Sequence, residues 1–358
     1  MSILTKYLVK SILKSTFLVL ALLLSITALY EFISQLGNLE GEYGVLQAFL
    51  FALLRLPQLS FEMLPIATLI GSLLCLGLLS TSSELIVMQT AGVSTRKISR
   101  MVGLSGVFIV LFSILMGEFI GPSLDYYARN MRDEARYDSQ GADFGSSVWV
   151  KDDLTILHLE RVNTEYDFGN LYLFRFNEDN SLKSIAVAEN SGIDRNEEWV
   201  LNNFRETRFE ENRVVTSSSR TINESFELNS DLLGVTLVKP ISLSIRELIG
   251  YVRYLKKNDL FSSRYEIELW SRISSVLTII LMPILALAFV FGSLREVGAG
   301  ARLTIGLVIG LVYFLVSELI FNYGQVYSMN PILTAWTPPF LLGIYTLFKL
   351  NYSRRFET

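Results

Sequence analysis

The sequence predicts an α-helical membrane protein with six transmembrane helices, three on each side of an inserted all-β, jelly-roll-like domain. Three observations carry that prediction. The chain has 358 residues, of which 51% are hydrophobic and only 18% charged, where about 25% charged is usual for a soluble domain. The apolar residues are gathered into uncharged blocks of the length that a hydrocarbon core of about 30 Å demands. The middle hundred or so residues abandon that pattern for short, partly alternating segments.

The first block, residues 16–30, follows Lys6, Lys10 and Lys14. Glu31 and Gln35 come after it rather than a small-residue cleavage site, so it reads as a retained first span and not a signal peptide. Residues 45–60 are apolar but hold Arg55 and Pro57, which suits a lead-in helix partly at the interface. Residues 63–83 form the second span and 101–117 the third. Beyond the β segment come 273–294, 303–317 and 331–348 as spans four to six. Pro65, Pro283, Pro338 and Pro339 fall within or beside these blocks, which helices tolerate where neighbouring helices cover the freed carbonyls.

Orientation follows from lysine and arginine. Lys6, Lys10 and Lys14, then Arg96, Lys97 and Arg100, then Arg295 and Arg302, then Lys349, Arg354 and Arg355 all fall on one side of an even-numbered topology. The opposite loops carry Glu31, Glu40 and Glu42, and residues 323–330 are uncharged. The positive-inside rule therefore places both termini in the cytoplasm and exports the β segment. The predicted organisation is residues 1–138 for the first three spans, 139–240 for the β domain and 241–358 for the last three.

Within the β segment, 147–151, 155–160, 171–176, 183–189, 205–209 and 213–219 read as strands, separated by turn clusters such as Asn177–Asn180. A sandwich or open jelly roll of about 100 residues accommodates them. From Ser244 to Trp270 the chain turns helical and charged.

Enzyme signatures are missing from the sequence. It has no Gly-x-x-x-x-Gly-Lys-Ser/Thr loop, so the chain does not bind ATP in that manner. His158 is the one histidine and lies in a predicted strand, where a structural role outweighs a ligand role. Cys75, the one cysteine, sits in an apolar block and reads as a small buried hydrophobe. The net charge of −4 implies no general affinity for nucleic acid.

The informative stretch lies between spans two and three. Thr81 and Glu84 have capping-box spacing, Leu85, Ile86, Met88 and Gln89 share part of one face, Gly92 suits a helix stop and Ser94 suits the next cap. A helix of two to three turns, outside the membrane and with an apolar face, fits either docking into a groove on a soluble partner or a plain interfacial connector. Glu118 and Glu318, near span ends, read as end placements with polar partners rather than a proton relay. Arg129, Arg132 and Arg136 follow span three; they fit interface anchors and an anionic lipid headgroup equally.

These residues resemble the LptF/LptG family of lipopolysaccharide export permeases, its LptG branch more closely than its LptF branch. The similarity lies in Ser83–Ser94, in Gly117–Pro122 with Ala128–Asn130, in Tyr251–Lys256, in Arg264–Tyr265 with Leu269–Ser271, and in Phe291–Arg295. The resemblance implies a non-enzymatic permease in a bacterial inner membrane, with its β domain periplasmic. It implies pairing with an LptF-type permease, docking on an LptB ATPase dimer that holds the ATP and Mg, an LptC helix beside span one, and handover of lipopolysaccharide to an LptA bridge. Glu84, Leu85, Met88, Gln89, Ala91, Gly92 and Arg295 would then face the ATPase, and no cofactor would bind this chain itself. Relatives often carry basic residues at the outer end of span one, where this sequence has Glu31 and no lysine or arginine. The paralogous LptF role, and a membrane-anchored receptor or scaffold with a β domain, are the competing readings.

Overall fold

The computed structural model describes residues 3–137, 147–160, 169–189, 191–194, 198–210, 213–226, 240–291 and 298–354. The chain divides into two compact units. One comprises Met1–Leu39, Val45–Ala128 and Ser263–Thr358; the other comprises Glu40–Gly44 and Arg129–Ser262.

The first unit is helical. Its helices are α1 (Ile3–Leu36), α2 (Val45–Leu54), α3 (Leu56–Thr81), α4 (Glu84–Thr90) and α5 (Thr95–Ile114). After α5 come a π-helical turn at Leu115–Ile120 and the start of α6 (Gly121–Tyr137). Following the second unit are α8 (Ser263–Phe291), α9 (Ala299–Val326) and α10 (Pro331–Arg354). Six of the described helical stretches are long and apolar enough to cross a membrane. They are Ile3–Leu36, Leu56–Thr81, Thr95–Asp133, Ser263–Phe291, Gly300–Val326 and Pro331–Asn351.

Burial ranks these helices. In α3 and α8 most of the apolar window is covered, whereas α1 and α9 cover about a fifth of theirs. So α3 and α8 form the centre, and α1 and α9 present apolar faces outward. Small residues allow close approach where no hydrophobic force draws helices together. A Cβ on Gly71 of α3 would stand 2.5 Å from the Thr16 backbone of α1. Leu8, Ile12, Leu73, Leu76, Met101, Val102, Met282 and Leu285 form one continuous core across α1, α3, α5 and α8.

Two element boundaries differ from the sequence expectation. The lead-in helix is shorter than 45–60, because Arg55 and Pro57 begin α3 rather than end α2. A proline is easily placed in the first helical turn, where its missing N–H has no partner to lose. The third apolar stretch does not stop at Gly117. It runs through a π turn and onward to Tyr137, and Gly121-Pro122, which looks like a terminus, lies at the restart.

The second unit is built on one antiparallel sheet: β1 (Val148–Asp152), β2 (Thr155–Leu159), β3 (Leu171–Phe176), β4 (Leu182–Ala188), β5 (Gly192–Ile193), β6 (Trp199–Glu210) and β7 (Arg213–Glu224). The order is β1-β2-β3-β4-β6, with β5 and β7 both paired to β6. Val148 and Val150, Leu157 and Leu159, Leu171 and Leu173, and Ala186 and Ala188 are all buried. They occupy one face at period two, the pattern of a half-covered sheet. Strand β6 begins at Trp199, earlier than expected. Asn202 and Asn203 look like a turn in sequence, and Asn203 does adopt φ 48, yet pairing continues on both sides of it.

Helix α7 (Ile245–Lys257) starts at a complete capping box: the Glu247 N–H donates to Ser244 Oγ, and the Ser244 N–H donates to Glu247 Oε2 at 2.7 Å. Tyr254 Oη donates to the Lys151 carbonyl at 2.7 Å, fastening α7 to β1. Burial, and then Asp152 nearby, push the Tyr254 hydroxyl up to about 12.

Candidate functional site

The short helix α4 is closed at its C-terminal end by a Schellman motif. The Gly92 N–H donates to the Gln89 carbonyl and the Val93 N–H to the Met88 carbonyl. Gly92 has φ +85, a conformation that side-chain-bearing residues adopt poorly. The helix begins with a carboxylate as expected, but the expected capping box does not form. Thr81 Oγ1 donates back to the Gly77 and Leu78 carbonyls and belongs to the end of α3. The helix starts at Glu84, with Ser83 at φ 63. Ser94 precedes α5 as expected, but its side chain makes no cap bond.

Leu85 and Met88 do not face outward. They are buried in the core formed by α1, α3, α5 and α8, and each such burial stabilises by roughly 2 kcal/mol. They seat α4 rather than offer it to a partner. Val87, Thr90, Ala91 and Gly92 are exposed, and Gln89 is half-buried. Glu84 is held from two sides, by Tyr7 Oη at 2.8 Å and Ser82 Oγ at 3.1 Å. Arg96, Lys97 and Arg100 are also exposed, on the first turns of α5. Arg295 lies outside the described residues.

The three arginines after the third apolar stretch are all engaged. Arg132 pairs with Asp133 at 2.9 Å, Arg136 pairs with Glu40 at 2.7 Å, and Arg129 is engaged as well.

Two arginines that sequence reasoning did not select organise the helical unit. Arg55, at the joint of α2 and α3, donates from Nη1 to Glu31 at 2.6 Å and from Nε to Asp125 at 2.9 Å. It ties α1, α3 and α6 together and neutralises Glu31. Arg272 of α8 donates from Nη1 to the Gly117 carbonyl at 3.1 Å and to Glu118 Oε1 at 3.0 Å. Its Nε stands 3.5 Å from Glu268, and its guanidinium lies over the Phe61 ring. Only 2% of the Arg272 side chain is exposed. Glu118 thus has a cationic partner, and Glu318 accepts from Asn322 at 3.1 Å. The available sequence signal was a lone cation in or beside an apolar block, with a lone acid at the matching end of another.

Comparison with known proteins covers almost the whole chain. Residues 6–352 match the family described as lipopolysaccharide export system permease LptF/LptG. The LptG permease protein of Escherichia coli (strain K12) is 31% identical over 354 residues, 97% of this chain and 98% of that protein. The LptG protein of Haemophilus influenzae is 30% identical over 353 residues, covering 98% and 99%. The LptF protein of Escherichia coli (strain K12) is 23% identical over 341 residues, covering 94% and 91%.

Proposed function

The chain belongs to the LptF/LptG family of lipopolysaccharide export permeases, and we propose that it works as the LptG-type half of a permease pair driven by a separate ATPase. The higher identity to LptG than to LptF favours that assignment over the paralogous one. It is an inner-membrane lipopolysaccharide export permease. The partners in this reading are an LptF-type permease, an LptB ATPase dimer, an LptC helix beside α1 and an LptA bridge. ATP and Mg sit on the ATPase, and this chain binds no cofactor. Both termini and α4 lie in the cytoplasm. Residues 139–240 form a periplasmic jelly-roll-like domain between two sets of three spans, 1–138 and 241–358.

The observation that carries the reading is α4. A two-turn helix capped by a Schellman turn and anchored by Leu85 and Met88 is a rigid handle, and a handle transmits force only if it is fixed to the body that must move. Val87, Thr90, Ala91 and Gly92 are its free surface, with Arg96, Lys97 and Arg100 beside it. Glu84, which Tyr7 and Ser82 hold in place, and Gln89 complete the docking set, with Arg295 close by in this proposal. An apolar patch with basic flanks suits a groove with an apolar floor and acidic rim. For the lipid headgroup, Arg132 and Arg136 act by exchanging their carboxylate partners for phosphate, and Arg129 acts beside them.

The test is co-purification of the ATPase subunit with Val87→Glu and with Ala91→Arg, neither of which touches the core. We expect loss of the ATPase from the complex and loss of export. Full ATPase recovery and unchanged export in both variants would sink the docking assignment. The chain purified alone should hydrolyse no ATP.

A further inference from the structure

The third apolar helix is interrupted where its own sequence removes a hydrogen-bond donor. In the π-helical turn the Gly121 N–H reaches back five residues to the Met116 carbonyl. By the same pattern the Gly117 carbonyl should accept from residue 122. Residue 122 is proline and has no N–H to give. A buried carbonyl left without a donor is costly. The missing donor arrives from another helix: Arg272 Nη1 of α8, 3.1 Å away, which also binds Glu118 at 3.0 Å. Gly117 leaves room for this arrangement, since a Cβ there would lie 2.5 Å from the Phe61 ring. One side chain, almost wholly buried, therefore replaces an intrahelical bond at the single irregular turn described in a helix that otherwise runs from Thr95 to Tyr137.

We infer that Leu115–Ile120 is a hinge and that Arg272 is its latch, a positioning residue for the export cycle. π turns and proline sites are where helices bend. With Arg272 on the Gly117 carbonyl, Gly121–Ala128 is fixed against Thr95–Ile114. With Arg272 released, the Gly117 carbonyl has no donor, the turn keeps only its own backbone bonds such as Gly121 N–H to Met116, and the two pieces reorient. Asp125 of α6 carries the movement to Arg55 and so to Glu31 at the end of α1. This inference rests on the export-permease reading only for the purpose the hinge serves; its existence is measured separately.

The experiment uses spin labels at Leu111 and Tyr127, both 60% exposed, in full-length Cys75→Ser protein within its complex. Electron–electron distance measurement should give a broader and shifted distribution for Arg272→Gln than for wild type, with Arg272→Lys intermediate. Adding Pro122→Ala restores a backbone N–H and should return the distribution towards wild type. A residue that acted only through packing or charge would not be rescued that way. Pro122→Ala alone keeps the latch residues and should narrow the distribution. Should Arg272→Gln not assemble, Pro122→Ala alone decides. An unchanged distribution in the variant measured, or no rescue, overturns the hinge. Export per ATP hydrolysed should fall about tenfold in Arg272→Gln, the rate equivalent of a lost hydrogen bond of roughly 1.4 kcal/mol. If wild-type complex exports no lipopolysaccharide, the functional reading has failed, and the distances still decide the hinge.

Discussion

The helical unit and the sheet unit both use arginine–carboxylate pairs, but they use them in opposite surroundings. Arg272 and Arg55 sit among apolar helices, 2% and 19% exposed, and each joins three helices. On the sheet, Arg205 pairs with Glu189 at 62% and 41% exposure, and Arg213 with Glu210 at 75% and 40%. In the first setting the charge is desolvated, so each carboxylate and guanidinium depends on the other. In the second, water and salt replace either partner at little cost. The same contact distance therefore carries very different energies in the two units. The number of ion pairs does not indicate where stability resides.

Breaking the comparison starts with its extreme. Arg272→Ala should destabilise the helical unit by about 3 kcal/mol, because half-buried Glu118 and Glu268 lose their cation and the Gly117 carbonyl loses its donor. A thermal melt in detergent should show a drop of several degrees. Pairing Arg272→Met with Glu118→Gln should lose less than the sum of the single changes, since it removes an orphaned charge along with the cation. Additive losses would mean that the two groups do not act as a pair.

Arg55→Ala comes next, at roughly 2 kcal/mol, because Asp125 is fully covered while Arg55 itself keeps some contact with solvent. The loss should shrink measurably in high salt, unlike that of Arg272. A salt response as flat as that of Arg272 would place Arg55 in the same class and weaken the ranking.

Much of the helical unit was legible because apolar blocks are read by length alone, and every span expected from the sequence overlaps a described helix, residues 292–294 of the fourth lying outside the described residues. The α4 stop at Gly92 was legible for a related reason: a positive φ requires a particular residue. The α4 cap was not. Thr81 and Glu84 have the right spacing, but α3 extends through Thr81 and takes its hydroxyl. Leu85 and Met88 were correctly placed on one face, but sequence does not say whether such a face meets a partner or the chain's own core. Arg55 and Arg272 were missed because their cross-helix partners lie 24, 70 and 154 residues away, and no local pattern reports such pairing. In the sheet, alternation gave most strands, and the reading of 205–209 missed the start of β6 at Trp199.

The intermediate case is Glu206, whose side chain is 8% exposed within the sheet unit. Burial pushes its carboxyl up, but the Ser184 hydroxyl and the Arg175 and Arg208 guanidiniums outweigh burial and hold it below the usual carboxylate range. A folded value below the unfolded one stabilises above the ordinary glutamate value of about 4.3, and that stabilisation is lost as pH falls through the lowered value. Glu206→Gln should flatten this acid limb. Fluorescence from Trp149 and Trp199, isolated by Trp270→Phe and Trp336→Phe, would report it. An identical acid limb in wild type and Glu206→Gln would remove Glu206 from the set of groups that set acid stability.

The smallest effect should belong to Arg205. Its pair with Glu189 links the end of β4 to β6, yet both side chains are largely hydrated, so holding them together gains little over leaving them in water. Arg205→Ala should change hydrogen-exchange protection across β6 by less than about 0.5 kcal/mol. Even that difference should vanish near 1 M salt, where the screening length is about 3 Å. Exchange measured on the full-length protein resolves this, because peptides covering residues 199–210 report β6 separately from the helices. A large, salt-resistant loss of protection would show that an exposed pair on the sheet behaves like the buried latch of the helices. The division between the two units would then follow from something other than solvent access to the charges.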